Sequence, residues 1–241
     1  MSKGVHLVAG KPCSTLLPRW LFIMWRNHLI IPLYTVAALG GKAHAQYEDY
    51  IYAPADRNVT PTTLYGSEGT VEDAAQLGQG TTFNGVNSSI SVDFGINIGG
   101  TVQFEVESVT GDDVYLGFTF TESSQWISPY VCDSGTAALR DSPLWFAIDG
   151  PGVYTAPLER QRGGFRYMSV WHNTTGSVTL SRLGVHVTVD PDAQDDLRAY
   201  SGYFHSSSDK LNRVWYAGAW TNQLCLVDPR YNNALGVPGD N

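Results

Sequence analysis

From Ser89 onward, hydrophobic and polar positions alternate with a period of two in a series of short runs. Ser89 to Phe94 and Thr101 to Glu107 alternate cleanly, with Gly99-Gly100 between them reading as a turn. Val114 to Phe120, Gly164 to Trp171, Ser177 to Leu180 and Leu183 to Val189 continue the pattern, separated by Gly111-Asp-Asp and Asn173-Thr-Thr-Gly. Short alternating strands with turn residues between them predict an antiparallel β-sandwich. Residues 46–86, rich in Gly, Pro, Thr, Asn and Asp, read as loops and an edge strand. Gln125 to Pro157 is a long excursion, and excursions of that length in a compact domain are often functional.

After Asp190-Pro191 the period changes. Ser206-Ser-Ser-Asp209 offers capping hydroxyls and a first-turn acid. Beyond it, Leu211, Val214, Trp215, Gly218, Ala219 and Cys225 fall on one face at helical spacing. Asp228-Pro229 predicts the helix end near Val227. Pattern alone leaves open whether this helix caps the sandwich or begins another domain. Trp215, Tyr216 and Trp220 place large apolar surface on more than one of its sides, which suits a helix buried among others.

The first 45 residues differ from the rest. They hold Lys3, Lys11, Arg19, Arg26 and Lys42 and no acid. Removing these five from the chain's 15 Lys and Arg leaves ten against 23 Asp and Glu, a net charge of −13 for residues 46–241. That surface repels nucleic acid and anionic lipid and tolerates neutral ligands such as sugars. His28 to Gly41 is an apolar run of signal-peptide length, preceded by Arg26 and followed by the small-x-small site Ala43-His-Ala45. A membrane anchor in its place would bury Arg26, Asn27 and His28, which is expensive. The expected product is secreted, with cleavage after Ala45, no membrane segment thereafter, and Met24 as the working start. Asn58-Val-Thr, Asn87-Ser-Ser and Asn173-Thr-Thr are N-glycosylation sequons, the first weakened by Pro61. Cys132 and Cys225 remain in the mature region, either as one disulfide or as two separately buried thiols.

Candidate chemistry is sparse. The sequence has no nucleotide-binding glycine loop, no Cys/His metal spacing and no nucleophile elbow, so neither a cofactor nor a metal is expected. Glu105 and Glu107 alternate with Val102, Phe104 and Val106 in the way solvated strand residues do. Glu122 sits at a strand end, and Asp195 and Asp196 lie in the approach to the helix. His186 reads as a satisfied strand histidine. Trp126 and Trp145, both on the long excursion, are the candidates for stacking on a sugar ring; the other tryptophans read as packing residues.

Several segments resemble fungal α-L-rhamnosidase-like glycoside hydrolases of the six-hairpin superfamily. Ser88 to Gly95 with Gly99-Gly100, Phe118 to Ser124, and Arg162 to Tyr167 are similar to strand segments of those proteins. Gly202 to Gln223 is more specific. Its Leu211-Asn-Arg-Val-Trp-Tyr-Ala-Gly-Ala219 resembles the first helix of their (α/α)6 catalytic barrel. The resemblance spans about residues 47–235 and implies a secreted hydrolase acting on rhamnose-containing glycosides. Such enzymes use two carboxyl groups across the scissile bond. Their acidic Asp-Gly-x-x-Arg-Asp-Arg-x-x-Trp-x-Gly-Asp signature has no counterpart here, so no catalytic residue transfers to this sequence. The expected organisation is a leader (1–45), a β-sandwich (46–200) and the start of a helical domain (201–241), whose remainder would be the sandwich's intramolecular partner. The rival expectation is a free-standing carbohydrate-binding module.

Overall fold

The computed structural model describes residues 47–133, 142–193 and 196–231. The leader and its cleavage site lie outside them. The strands are β1 (Asn58–Val59), β2 (Thr63–Glu72), β3 (Thr81–Thr110), β4 (Tyr115–Thr121), β5 (Leu144–Ala147), β6 (Gly152–Thr155), β7 (Arg162–His172) and β8 (Ser177–Val187). One 16-residue helix, α1, spans Asp209–Leu224.

All strand pairs are antiparallel, and they form one curled sheet of mainly β architecture in the order β1-β8-β3-β7-β4-β5, with β2 and β6 also pairing β3. The 30-residue β3 runs through both halves. Its early part, Ser88–Asp93, pairs β7. Its later part, Gly100–Thr110, pairs β8. The two halves meet face to face. Phe104, from the later part of β3, lies 5.1 Å from Phe118 of β4 and 4.9 Å from Phe146 of β5. Around this contact Ile90, Val92, Leu116, Met168, Val170, Leu183 and Val185 are buried. The period-two pattern thus does what such a pattern dictates, sending alternate side chains inward.

Three sequence expectations change. Gly99-Gly100 does not close a hairpin; it bends a continuous strand, with register shifts on the β7 side between Asp93 and Gly100. A Cβ on Gly100 would sit 2.0 Å from the His186 carbonyl oxygen, so the glycine serves close backbone approach across the ladder. Residues 46–86 hold more strand than foreseen, because β2 is mostly exposed and has no buried alternation to betray it. Within the long excursion, β5 and β6 form two short strands.

Arginines tie the flanking segments to the sheet and to each other. Arg57 donates to the carbonyls of Val187, Val189 and Asp190 at 2.9–3.0 Å. Arg198 donates to those of Glu48, Ile51 and Ala53 at 2.7–3.1 Å.

Helix α1 docks through Asn212, Tyr216 and Trp220, its buried residues. Tyr216 stacks between Tyr50 and Tyr200, with centroids 5.8 and 6.3 Å away. Trp220 donates its indole N–H to the Asn97 carbonyl at 2.8 Å. The sequence left open which apolar side docks. The stripe of Leu211, Val214, Trp215 and Gly218 points away from the sheet, Leu211 being 55 % and Val214 62 % exposed. Tyr216 and Trp220 win because each buries a larger apolar body, and the Trp220 N–H still finds a partner. The Ser208 side chain makes no capping bond. Instead Asn212 Oδ1 accepts from the Ser206 N–H and hydroxyl, at 2.8 and 3.1 Å.

Candidate functional site

One face of the sheet carries polar and aromatic side chains in register across β2, β3, β7, β4 and β5. Register places Glu68, Ser89, Trp171, Gly117 and Trp145 in one row across β2, β3, β7, β4 and β5. Cross-strand neighbours share a face, so these five project together. The next row holds Gly66, Ser91, Ser169 and Thr119. Ser89, Ser91, Ser169 and Thr119 are nevertheless buried, because residues 122–133 cross above them.

That loop is held by its own chemistry. Thr119 donates to the Ser128 carbonyl and Thr121 to the Asp133 carboxylate. The Tyr130 ring packs edge-on against Trp171 at 4.9 Å, while its hydroxyl donates to Glu68 Oε2 at 3.1 Å. Burial, the largest cause, and the neighbouring Glu68 push the Tyr130 hydroxyl pKa above its ordinary value, so it stays a donor at neutral pH. Between loop and strands is a cavity of about 240 Å³ lined by Tyr65, Gly66, Ser67, Glu68, Ser89, Ser91, Ser124, Ile127 and Pro129.

The two tryptophans singled out in the sequence are separated in role. Trp145 is 42 % exposed, yet one face of its indole lies on Gly117, where an added Cβ would come within 2.9 Å of the ring. It also packs against Trp171 at 5.1 Å. Trp126 is 63 % exposed in the 3-10 turn Ser124–Trp126, between two residues that line the cavity. Neither tryptophan lines the cavity itself. Tyr65, Glu68, Ser89 and Ser91 do: β2, which carries the first two, lacks a clear period, and the two serines read in the sequence only as polar positions of an alternating strand.

The other candidates are engaged structurally. Glu105 pairs loosely with Arg182 at 4.0 Å. Glu122 Oε1 accepts from Asn97 Nδ2 at 2.8 Å. The side chain of His186 meets Asn58 Oδ1 at 3.0 Å. Asp196 accepts from the Arg198 N–H, and Asp195 lies outside the described residues. Asp93 takes two bonds from Arg166, both 2.8 Å, which hold its carboxyl below the usual range. His172 is fully buried; its Nδ1 donates to the Gly85 carbonyl and its Nε2 accepts from Thr174, fixing the neutral tautomer.

A second, open groove of about 460 Å³ runs between α1 and the segment leading to it, lined in part by Asp190, Asp196, Tyr200, Trp215, Asn222 and Gln223. Much of its polar lining is already paired. Gln223 donates to Asp190 Oδ2 and the Leu197 carbonyl, both at 3.0 Å, and accepts from Tyr200 at 2.7 Å. Burial pushes the Tyr200 hydroxyl up to about 12. This is an interlocked joint between helix and sheet.

The Cys132–Cys225 bridge is not formed. Cys225 stands exposed as a thiol at the C-terminal end of α1, whereas Cys132 packs against the sheet core from within the loop of residues 122–133. Asn58, Asn87 and Asn173 are all exposed. Among the described residues, no group of three or more His, Cys, Asp or Glu gathers as metal ligands, and no helix is long and apolar enough to cross a membrane.

No family model and no curated protein matches the chain. Among solved structures, it is similar to a rhamnosidase from Klebsiella oxytoca with rhamnose bound, at 17 % identity and a TM-score of 0.49, over 76 % of this chain and 37 % of that one. It is similar to a GH78 family rhamnosidase of Bacillus sp. GL1 at 19 % identity and a TM-score of 0.45, over 70 % and 15 % of the two chains. Chitosan-binding module 1 of a Paenibacillus sp. IK-5 chitosanase/glucanase aligns at 17 % identity and a TM-score of 0.31, over 54 % and 97 %. The chain thus spans well under half the length of either rhamnosidase.

Proposed function

We propose that this chain is the non-catalytic β-sandwich region of a secreted α-L-rhamnosidase-like glycoside hydrolase, with α1 as the first helix of its helical catalytic domain. The observation that carries the reading is the double-sided character of α1. One face is docked through Tyr216 and Trp220. The other presents Leu211 and Val214 to solvent, within the segment whose sequence resembles the first barrel helix. Exposed aliphatic side chains on a helix already anchored on its opposite side suit a helix that packs against further helices.

In this reading the sandwich supports the catalytic domain and supplies none of its acid or base groups. Inversion at an anomeric carbon needs one carboxyl group as acid and another as base on opposite sides of the sugar. Glu122 and Asp93 are each held by a hydrogen-bonded partner instead, and Glu105 is a solvated strand residue 4.0 Å from Arg182. The test is an assay of this chain against an aryl α-L-rhamnoside. No release of rhamnose is expected; turnover that is lost on heat denaturation and absent from a mock preparation would overturn the non-catalytic assignment. The leader and the three sequons carry the secreted part of the proposal, and secretion from a eukaryotic host with glycan at Asn87 or Asn173 would support it.

A further inference from the structure

We infer that Asn173 is the N-glycan acceptor among the three sequons, and that the first sugar of its glycan packs on the exposed ring of Tyr115. The inference rests on the secreted part of the proposed reading and concerns a covalent modification of this chain.

The fold separates three tripeptides that the sequence distinguishes only by Pro61. Transfer requires access to the asparagine amide and to the hydroxyl two residues on, which is why a used sequon lies in a surface loop. At Asn58 the amide is engaged. Its Nδ2 donates to Asp56 Oδ1 at 3.3 Å and its Oδ1 meets His186 Nδ1 at 3.0 Å. At Asn87 the amide is exposed but the hydroxyl is not. Ser89 is 2 % exposed, held in the ladder between Glu68 of β2 and Trp171 of β7.

Asn173 lies in the turn between β7 and β8, and both Asn173 and Thr175 are exposed. Neither side chain makes a hydrogen bond to a described residue. The residue between them shows how the turn sorts its side chains. Thr174 faces inward, accepting from the Tyr115 N–H at 3.3 Å and donating to His172 Nε2 at 3.2 Å. Gly176, at φ +99°, seats the turn against the preceding one: a Cβ there would fall on the Thr110 carbonyl oxygen. The turn is therefore held by its backbone and by Thr174, which leaves Asn173 and Thr175 free to face outward.

The same register supplies a surface for the glycan. β4 and β7 pair through Gly117 with Trp171 and Leu116 with His172, so one residue further Tyr115 stands opposite Asn173. Cross-strand neighbours share a face and lie within about 4.5–5.5 Å at Cβ. Tyr115 is 41 % exposed, and its ring offers an apolar surface that the C–H face of the first sugar covers. In the transfer, Asn173 Nδ2 attacks the anomeric carbon of a polyprenyl-diphosphate-linked oligosaccharide. The bond from that carbon to the diphosphate oxygen breaks, the diphosphate leaves with the electron pair, and the amide gives one proton to a base of the transferase.

The experiment secretes the full chain from a glycosylating eukaryotic host behind a host signal peptide, so delivery does not depend on residues 1–45. Site occupancy is read by peptide mass spectrometry with and without peptide N-glycosidase. Asn173 should be occupied in most molecules, and in more of them than Asn87 or Asn58. Asn173→Gln should remove that glycan and lower the thermal midpoint by about 2–4 °C. It should leave the midpoint unchanged in chain from a bacterial host that adds no glycan, and in secreted Tyr115→Ala. Tyr115→Phe, which keeps the ring, should behave as the parent. Occupancy at Asn173 equal to or below that at Asn87, including no glycan at either, overturns the site. A midpoint unmoved by Asn173→Gln, or lowered equally in the Tyr115→Ala background, overturns the packing. Export by residues 1–45 is measured separately, without the host signal, so failure of the secreted reading is distinguishable from both results.

Discussion

The indole N–H of Trp220 donates to the backbone carbonyl of Asn97 across 2.8 Å, tying the middle of α1 to the bend of β3. Asn97 also donates its side-chain amide to Glu122, so one residue links the helix, the bend and the end of β4. Trp220 is almost fully buried. Trp220→Ala should therefore destabilise by about 3–5 kcal/mol through lost burial and the cavity left behind. Trp220→Phe keeps most of the apolar body and should cost about 1–3 kcal/mol, mainly for the carbonyl left without its donor. Urea denaturation followed by circular dichroism measures both.

Gly117 is a seat for an indole. An added Cβ there would lie 2.9 Å from the Trp145 ring, and Trp145 in turn packs on Trp171. Gly117→Ala should displace Trp145, cost about 1–3 kcal/mol by overpacking, and shift the tryptophan emission. Gly117→Ala combined with Trp145→Ala should recover part of the loss. A glycine chosen only for chain flexibility would show no such rescue.

Two titrations bound the stability window. Tyr200, raised from 10 to about 12 by burial, stays protonated in the folded protein at pH values where the unfolded chain ionises. Its contribution is complete below pH 10 and is lost as pH rises from 10 towards 12. Asp93, lowered by its hydrogen bonds with Arg166, contributes above its ordinary value of 3.8, and that contribution is lost as pH falls through its depressed folded value. Tyr200→Phe should flatten the alkaline limb, and Asp93→Asn should flatten the acid limb while lowering stability at neutral pH. Thermal midpoints measured across pH test both.

The sheet was legible wherever apolar side chains occupy one face and polar ones the other, even where both are buried, as at Ser89 and Ser91. The runs at 89–94, 101–107 and 114–120 reappear inside β3 and β4 because alternate residues there do enter the core. β2 was not foreseen as a ten-residue strand, since it is exposed along most of its length and hydrophobic alternation has nothing to record. The facing of α1 was not legible for a different reason. Its aliphatic stripe satisfies helical periodicity, but the aromatic residues Tyr216 and Trp220 occupy the sheet. Periodicity identifies an apolar face without saying which of two faces docks first. Trp126 and Trp145 were visible because large aromatics in a long loop stand out. Glu68 and Ser89 were invisible because only register brings them together.

The central proposal is that Leu211 and Val214 on the outward face of α1 contribute nothing to the fold of this region and would pack against further helices. Leu211→Lys with Val214→Glu in the same chain tests it most directly, read by thermal denaturation and by binding of a hydrophobic dye. The expected result is reduced dye binding with stability within about 0.5 kcal/mol of the parent, as for exposed positions elsewhere. A loss of several kcal/mol, or a parent chain that binds no dye, would contradict the account, for Leu211 and Val214 would then already be covered.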